Sequence, residues 1–157
     1  MEYWKVLRSK VGKERIIIPG VDVAVTSSKG ILLVRNKDNG NWFLPGGLQE
    51  LGESIFETGT REVLEELGIE ITAISLISVY SGSKWVRKYS NGDELQSLTF
   101  LLSCEVRESE LGSITIDESE LIEYGWFKPN ELPKNMQDYA ASMVKDVAEF
   151  SGKTIIR

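Results

Sequence analysis

The chain has no histidine and one cysteine, Cys104. These two scarcities remove most common site chemistries. No zinc finger, Ser-His-Asp triad, Cys-His nucleophile pair, HExxH metalloprotease helix or disulfide framework can be assembled from it. Acid–base or metal chemistry must come from carboxylates, Lys, Tyr or water. Positive charge is also short: 18 Lys and Arg stand against 24 Asp and Glu, a net charge of −6. That argues against DNA or a general nucleic-acid coat, because phosphate-backbone binding is carried by cations. Small phosphate substrates stay open if a divalent cation separates the two negative partners. No apolar run approaches the ~20 residues of a membrane span; the longest are Ile31-Leu32-Leu33-Val34 and Phe100-Leu101-Leu102. The start, Met1-Glu2-Tyr3-Trp4-Lys5, lacks the basic-then-apolar pattern of a signal peptide. With the lone cysteine these absences predict a cytoplasmic protein with no membrane partner. Cys104 lies in an apolar strand-like run and reads as a small core hydrophobe.

At 157 residues, 41% apolar and 27% charged, the composition is that of a single globular domain over 1–157. Val21 to Val25 alternates, Ile31 to Val34 is a compact apolar run, and Ser27-Ser28-Lys29-Gly30 between them is turn-like, which predicts a hairpin. Asp38 to Asn41 is a loop, followed by a short strand Trp42-Phe43-Leu44 that Pro45-Gly46-Gly47 stops. Ile69 to Tyr80 is rich in β-branched residues and reads as strand. Val86 to Ser90 and Leu95 to Val106 flank a hairpin turn at Asn91-Gly92-Asp93. Leu121 to Phe127 is a last strand, closed by Pro129. Two segments are helical. One is 54–67, with Ser54 as N-cap, Glu57 completing a capping box and Gly68 just past the end. The other is 137–150, with Tyr139, Met143, Val144, Val147 and Phe150 at helical spacing. Strands outnumber helices, so the expected class is α/β (α+β): a mixed sheet sandwiched between two helices.

The sharpest feature is Gly47-x5-Glu53 followed by Arg61-Glu62-Val63-Leu64-Glu65-Glu66-Leu67-Gly68-Ile69. At about 100° per residue, Glu66 lies about 40° to one side of Glu62 and Glu65 about 60° to the other. Three carboxylates thus share one face, while Phe56, Thr60, Val63 and Leu67 form the expected core face, with Gly59 between the two. Like charges at these spacings destabilise an isolated helix by a few tenths of a kcal/mol per pair. A solvated acidic face would account for a bare ExxEE. The flanking residues favour hard divalent cations instead: Pro45-Gly46-Gly47 allows close backbone approach, and Glu53 can reach Arg61 and lock the loop onto the helix. Mg²⁺ takes a few carboxylates together with phosphates and waters, and needs no histidine.

This spacing matches every fixed position of the Nudix box, a coincidence of roughly 10⁻⁷ by chance over all windows at average composition. The order of the other elements, including Trp42 to Gly47 and Trp126-Phe127, resembles the Nudix hydrolases over most of the chain. The resemblance implies a Nudix-like α/β/α sandwich. It implies cleavage of a small-molecule nucleoside diphosphate derivative (nucleotide sugar, ADP-ribose or nucleoside triphosphate) with Mg²⁺ or Mn²⁺. Glu62 and Glu66 would be principal metal ligands, Glu65 a ligand or water-activating base, and the Gly47 carbonyl a further ligand. Glu53 and Arg61 would brace the loop. The departure is Gly59, where many members have Ala. Members often add a distal carboxylate; here the segment from Asp117 to Glu123 supplies Glu120 first, then Glu118 or Glu123. The alternatives are a nucleotide-sensing Nudix module without turnover, and an RNA 5′-end pyrophosphohydrolase, which the acidic surface disfavours.

On the substrate side, Lys84-Trp85-Val86-Arg87-Lys88-Tyr89 interleaves cations and aromatics. Trp85 and Arg87 could stack a base and hold phosphates, or belong to an ordinary solvated hairpin. Arg35 could contact a phosphate or have no role. Tyr3 and Trp4 are left between capping the core and meeting the second copy of a homodimer.

Overall fold

The computed structural model describes residues 2–72, 74–88 and 91–157. A helix, α1 (Tyr3–Val11), precedes the long strand β1 (Ile16–Ser27), which turns into β2 (Gly30–Asn36). Ser27 pairs with Gly30 across that turn. Gly30 has φ 123°, and a Cβ there would lie 2.3 Å from the Phe127 carbonyl oxygen, so only glycine fits. Then come β3 (Trp42–Phe43), β4 (Gly46–Leu48), α2 (Ile55–Leu67), β5 (Ser75–Tyr80), β6 (Val86–Lys88), β7 (Glu94–Glu105), β8 (Leu121–Phe127), α3 (Asp138–Glu149) and β9 (Ile155–Ile156).

The strands form one mixed sheet in the order β3-β2-β1-β7-β5-β9, with β4 on β1, β6 on β7 and β8 on β2. β1 runs parallel to β7 and β5 parallel to β9; the other pairs are antiparallel. The period of two along β1 sorts its side chains. Val21, Val23 and Val25 pack with Val63 and Leu67 of α2, whereas Ala24 packs with Met143 and Val144 of α3. The sheet thus lies between α2 and α3, with a core on each face, as the patterning predicts. Cys104 is buried in the α2-side core, and burial pushes its thiol up to about 12. Among the described residues no helix is long and apolar enough to cross a membrane.

Three elements differ from expectation. α1 was not anticipated; none of its residues is fully buried, and its apolar side chains Tyr3, Trp4, Val6, Leu7 and Val11 are half-buried. Its first free N–H, on Tyr3, is instead taken by both carboxylate oxygens of Glu50, at 3.0 Å each. Gly46-Gly47 does not end a strand but forms β4, laid antiparallel on β1 with Val21 opposite Gly47. Among the described residues of the stretch from Ile69 to Tyr80, only Ser75–Tyr80 is strand. Ile69 and Ile71 are buried against α2 without being laddered, so β-branching there reflects burial, not pairing. The 91–93 turn does join β6 to β7, with Lys88 opposite Glu94; Tyr89 and Ser90 lie outside the described residues, as do Met1 and Ala73.

Candidate active site

α2 starts on the expected capping box. Glu57 N–H donates to Ser54 Oγ (3.3 Å) and Ser54 N–H to Glu57 Oε2 (2.7 Å). The helix ends at Gly68, left-handed at φ 67°, whose N–H donates to the Leu64 carbonyl. Its buried residues are Thr58, Gly59, Val63, Glu66 and Leu67. The core face is therefore rotated from the expected one: Phe56 is 43% exposed and Thr60 is not buried, while Gly59 sits on the sheet. A Cβ on Gly59 would meet Leu102 Cδ1 at 2.9 Å and Val23 Cγ2 at 3.2 Å. This rotation carries Glu66 inward, to 7% exposure.

Arg61 is the hub of the loop before α2. Its Nε donates to Glu53 Oε1 (2.6 Å), and Nη2 donates to Glu53 Oε2 and the Leu48 carbonyl (3.1 Å each). Nη1 reaches Glu62 (2.8 Å) and Glu65 (3.1 Å). Glu53 also accepts from Thr58 Oγ1 (2.9 Å) and the Glu50 N–H (3.1 Å). The Arg61 contact, with these donors, holds the Glu53 carboxyl down at about 2 against the pull of burial. The two residues brace the loop, and Arg61 additionally grips two of the three helix carboxylates.

Glu66 accepts one hydrogen bond, from the Gly46 N–H at 3.0 Å. Burial drives its carboxyl well above the carboxylate range despite that bond, and the charges of Glu62, Glu120 and Asp22 push the same way. Glu62, with 14% side-chain exposure, is also raised, by burial first and then by Glu65 and Glu120, with Arg61 opposing. Glu65 is the outermost, at 58%. The missing side chain of Gly47 makes room for Glu62: a Cβ there would lie 2.3 Å from Glu62 Oε1. The Gly47 carbonyl oxygen is turned toward β1, 3.3 Å from where a Cβ on Gly20 would stand. Gly47 thus contributes clearance for Glu62 and lines the same cleft.

The distal loop is tied to the end of α2. Thr115 N–H donates to the Leu67 carbonyl (2.9 Å) and Asp117 N–H to the Glu66 carbonyl (3.1 Å). This brings Glu120, and with it Asp117, into a cleft of about 540 Å³ shared with Glu62, Glu65, Glu66 and Arg61. The other two distal candidates are placed elsewhere. Glu123 pairs with Arg35 (2.9 Å), and Glu118 does not line the cleft; its carbonyl accepts from Lys37 (2.7 Å).

The donor set is all hard oxygen, which fits Mg²⁺ or Mn²⁺. A buried carboxyl with one hydrogen bond, surrounded by like charges, ionises at a cost that a divalent cation would offset. Among the described residues no three acidic groups already converge as a cage; Glu62 and Glu65 are held by Arg61, with which a cation would compete.

The NUDIX domain profile matches residues 17–147. A MutT-like protein of Streptomyces ambofaciens is 32% identical over 131 residues, 83% of this chain and 75% of its own length. The NAD-capped RNA hydrolase NudC of Citrobacter koseri is 29% identical over 74% of this chain, which spans 41% of that longer relative. The crystal structure of a MutT protein from Bacillus halodurans superposes with a TM-score of 0.69 at 25% identity, covering 88% of this chain and 86% of that one.

The chain belongs to the Nudix hydrolase family.

Members of this family are pyrophosphohydrolases that use divalent metals. Glu62, Glu65 and Glu66 of this Nudix domain stand on one helix beside one cleft, but the expected substrate-side residues scatter. Arg35 donates to Glu123 and to the Gly40 carbonyl (3.0 Å), so its guanidinium is committed away from the cleft. Trp85 packs on Tyr80, with ring centroids 4.7 Å apart, as part of the α3-side core. Arg87 does face a second cavity, of about 220 Å³. Its Cζ stands over the Tyr139 ring of α3, 4.1 Å from the centroid. Asp22 lines the same cavity, and burial raises its carboxyl to about 7, with Arg87 opposing and Glu62 adding. Gly46, Gly47 and Leu48 border both cavities. Asp22, Tyr139, Asp117, Glu2 and Trp4 were not legible as site residues; only the alternation of Val21 to Val25, which turns Asp22 away from α2, hinted at one of them.

Proposed function

We propose that this Nudix domain hydrolyses the pyrophosphate linkage of a nucleoside diphosphate joined to another moiety. Mg²⁺ or Mn²⁺ would be held by Glu62, Glu65, Glu66 and the Gly47 main-chain carbonyl. The metal supplies charge neutralisation over the diphosphate and a more acidic water. The protein's part is positional. Glu53 and Arg61 fix the loop against the helix, and Gly46-Gly47 allows a phosphate to approach the backbone. Glu120, or the exposed Glu65, accepts the proton of the attacking water. Water oxygen bonds to phosphorus as the bridging P–O bond breaks, leaving a nucleoside monophosphate and a phosphorylated second product.

The observation that supports this most is Glu66: a buried carboxyl with a single donor, opening on a cleft edged by six more carboxyl groups and two glycines. Glu66→Gln is expected to lower kcat by about 10³-fold or more with little change in Tm, and EDTA to abolish wild-type turnover. A Glu66→Gln protein with wild-type rates, or turnover surviving exhaustive chelation, refutes the reading. The same assay separates an enzyme from a module that binds nucleotide without turnover.

A further inference from the structure

We infer that the arm of the substrate beyond the diphosphate is an uncharged, hydroxyl-bearing ring, as in a nucleoside diphosphate sugar, and that Trp4 of α1 is the surface on which the ring packs. The inference rests on the carboxylate cleft being the diphosphate site.

The first argument is charge. A triphosphate would place a further phosphate in the cleft and need a cation to receive it. Arg61, the one cation on the cleft wall among the described residues, is already spent on Glu53, Glu62, Glu65 and the Leu48 carbonyl. Lys5 is paired with Glu2 and lies 5.4 Å from the Trp4 ring centroid. Beyond the box glutamates the wall adds Glu2, Glu50, Asp117 and Glu120. An extra phosphate would meet like charge there, whereas sugar hydroxyls would find acceptors.

The second argument is shape. Trp4 is the sole aromatic side chain on that wall among the described residues, and it is half-exposed. An indole face suits the apolar side of a ring.

The third is placement. No residue of α1 is fully buried: Tyr3, Trp4, Val6, Leu7 and Val11 are half-buried and none joins either core cluster, so α1 adds little to the core. It is nonetheless registered to the catalytic loop: Glu50 takes the Tyr3 N–H with both oxygens, and the Glu50 N–H donates to Glu53, the partner of Arg61. α1 also lies outside the residues matched by the family profile. The second cavity, reached across Gly46-Gly47, leaves room for the nucleoside on the other side of the linkage.

The test compares UDP-glucose and ADP-ribose with UTP and ATP under Mg²⁺, for wild type, Trp4→Ala and Trp4→Phe. Wild type should favour the ring-bearing substrates in kcat/KM by at least about tenfold. Trp4→Ala should raise their KM by about 10- to 100-fold, the scale of an aromatic stack. Its kcat should hold within about threefold and its triphosphate KM should not move; Trp4→Phe should recover most of the loss. As a binding readout, α,β-methylene ADP-ribose should quench more fluorescence from wild type than from Trp4→Phe. Trp4 is half-buried and belongs to neither core cluster, so Trp4→Phe should melt like wild type and Trp4→Ala should lose at most roughly 2–4 °C in Tm. The inference is overturned if Trp4→Ala affects all four substrates alike or none, or if wild type prefers triphosphates. A preference for triphosphates with Glu66→Gln still inactive sinks this inference alone; a wild type inert on all four sinks it together with the function it rests on.

Discussion

Gly47→Ala isolates the geometry of the site from the stability of the fold. An alanine Cβ at this position would lie 2.3 Å from Glu62 Oε1, 2.5 Å from Cδ and 2.8 Å from Oε2. Non-bonded heavy atoms need at least ~3.4 Å, so the carboxylate must retreat by about 1 Å. The obstructing atoms are the free end of a flexible side chain, so the backbone has no need to move. The expected folding cost is at most about 1 kcal/mol, which for a chain of this size lowers Tm by roughly 2–4 °C. A displacement of about 1 Å in a catalytic group costs on the order of 10²-fold in rate. The variant should therefore fold, melt near wild type, and lose about 10²-fold in kcat/KM at saturating Mg²⁺. Gly46→Ala is the control of opposite character. Gly46 has φ 152°, and its Cβ would strike the Val21 carbonyl oxygen at 2.1 Å, a backbone atom that cannot yield. It should lose stability first. The assay is initial rate against Mg²⁺ concentration, with thermal melts of all three proteins. A Gly47→Ala enzyme with wild-type kcat/KM and metal dependence would show that Glu62 need not occupy its observed place, and the assignment of the cleft would fall.

Two further outcomes concern stability. Glu53 has a folded value of about 2 against an ordinary 4.5, so its ionised form contributes up to about 3 kcal/mol at neutral pH. A depressed value means that this contribution is complete above about pH 4.5 and disappears as pH falls toward 2; in urea melts at pH 7 and pH 3, Glu53→Gln should show a smaller acid loss than wild type, and equal losses would refute the brace. On the opposite face, buried Asp146 accepts from Tyr80 OH (2.6 Å), Ser78 Oγ (3.2 Å) and the Arg157 guanidinium. Arg157→Ala strands that charge with its two hydroxyl partners and should cost about 2 kcal/mol in urea denaturation at pH 7, an effect absent in the background of Asp146→Asn.

The local signals fared best where one short segment decides the conformation. Ser54, Glu57 and Gly68 bounded α2 within a residue because capping is a contact among neighbours. Leu121–Phe127 was legible as a strand from composition and its closing proline. Helical spacing placed Glu62, Glu65 and Glu66 on adjacent rows, but periodicity cannot say how far the helix is rolled on its sheet. Gly59 decides that: lacking a Cβ, it lets α2 settle on Val21, Val23 and Leu102, which rolls Phe56 out and Glu66 in. Trp85 and Arg87 are two residues apart and looked like one unit, yet Trp85 joined the α3-side core while Arg87 turned to a cavity. In the acidic loop, main-chain bonds to the end of α2 selected Asp117 and Glu120, and Arg35 removed Glu123.

The sequence by itself determined the family, the mixed α/β class and which carboxylates line up along α2, because those depend on composition and on spacing within one helix and its caps. Only the tertiary structure decided which carboxylate is buried, which distal acid joins the cleft, and that α1 stands beside it. Each of these depends on contacts between residues tens of positions apart, such as Tyr3 with Glu50 and Gly46 with Glu66, which no local pattern encodes.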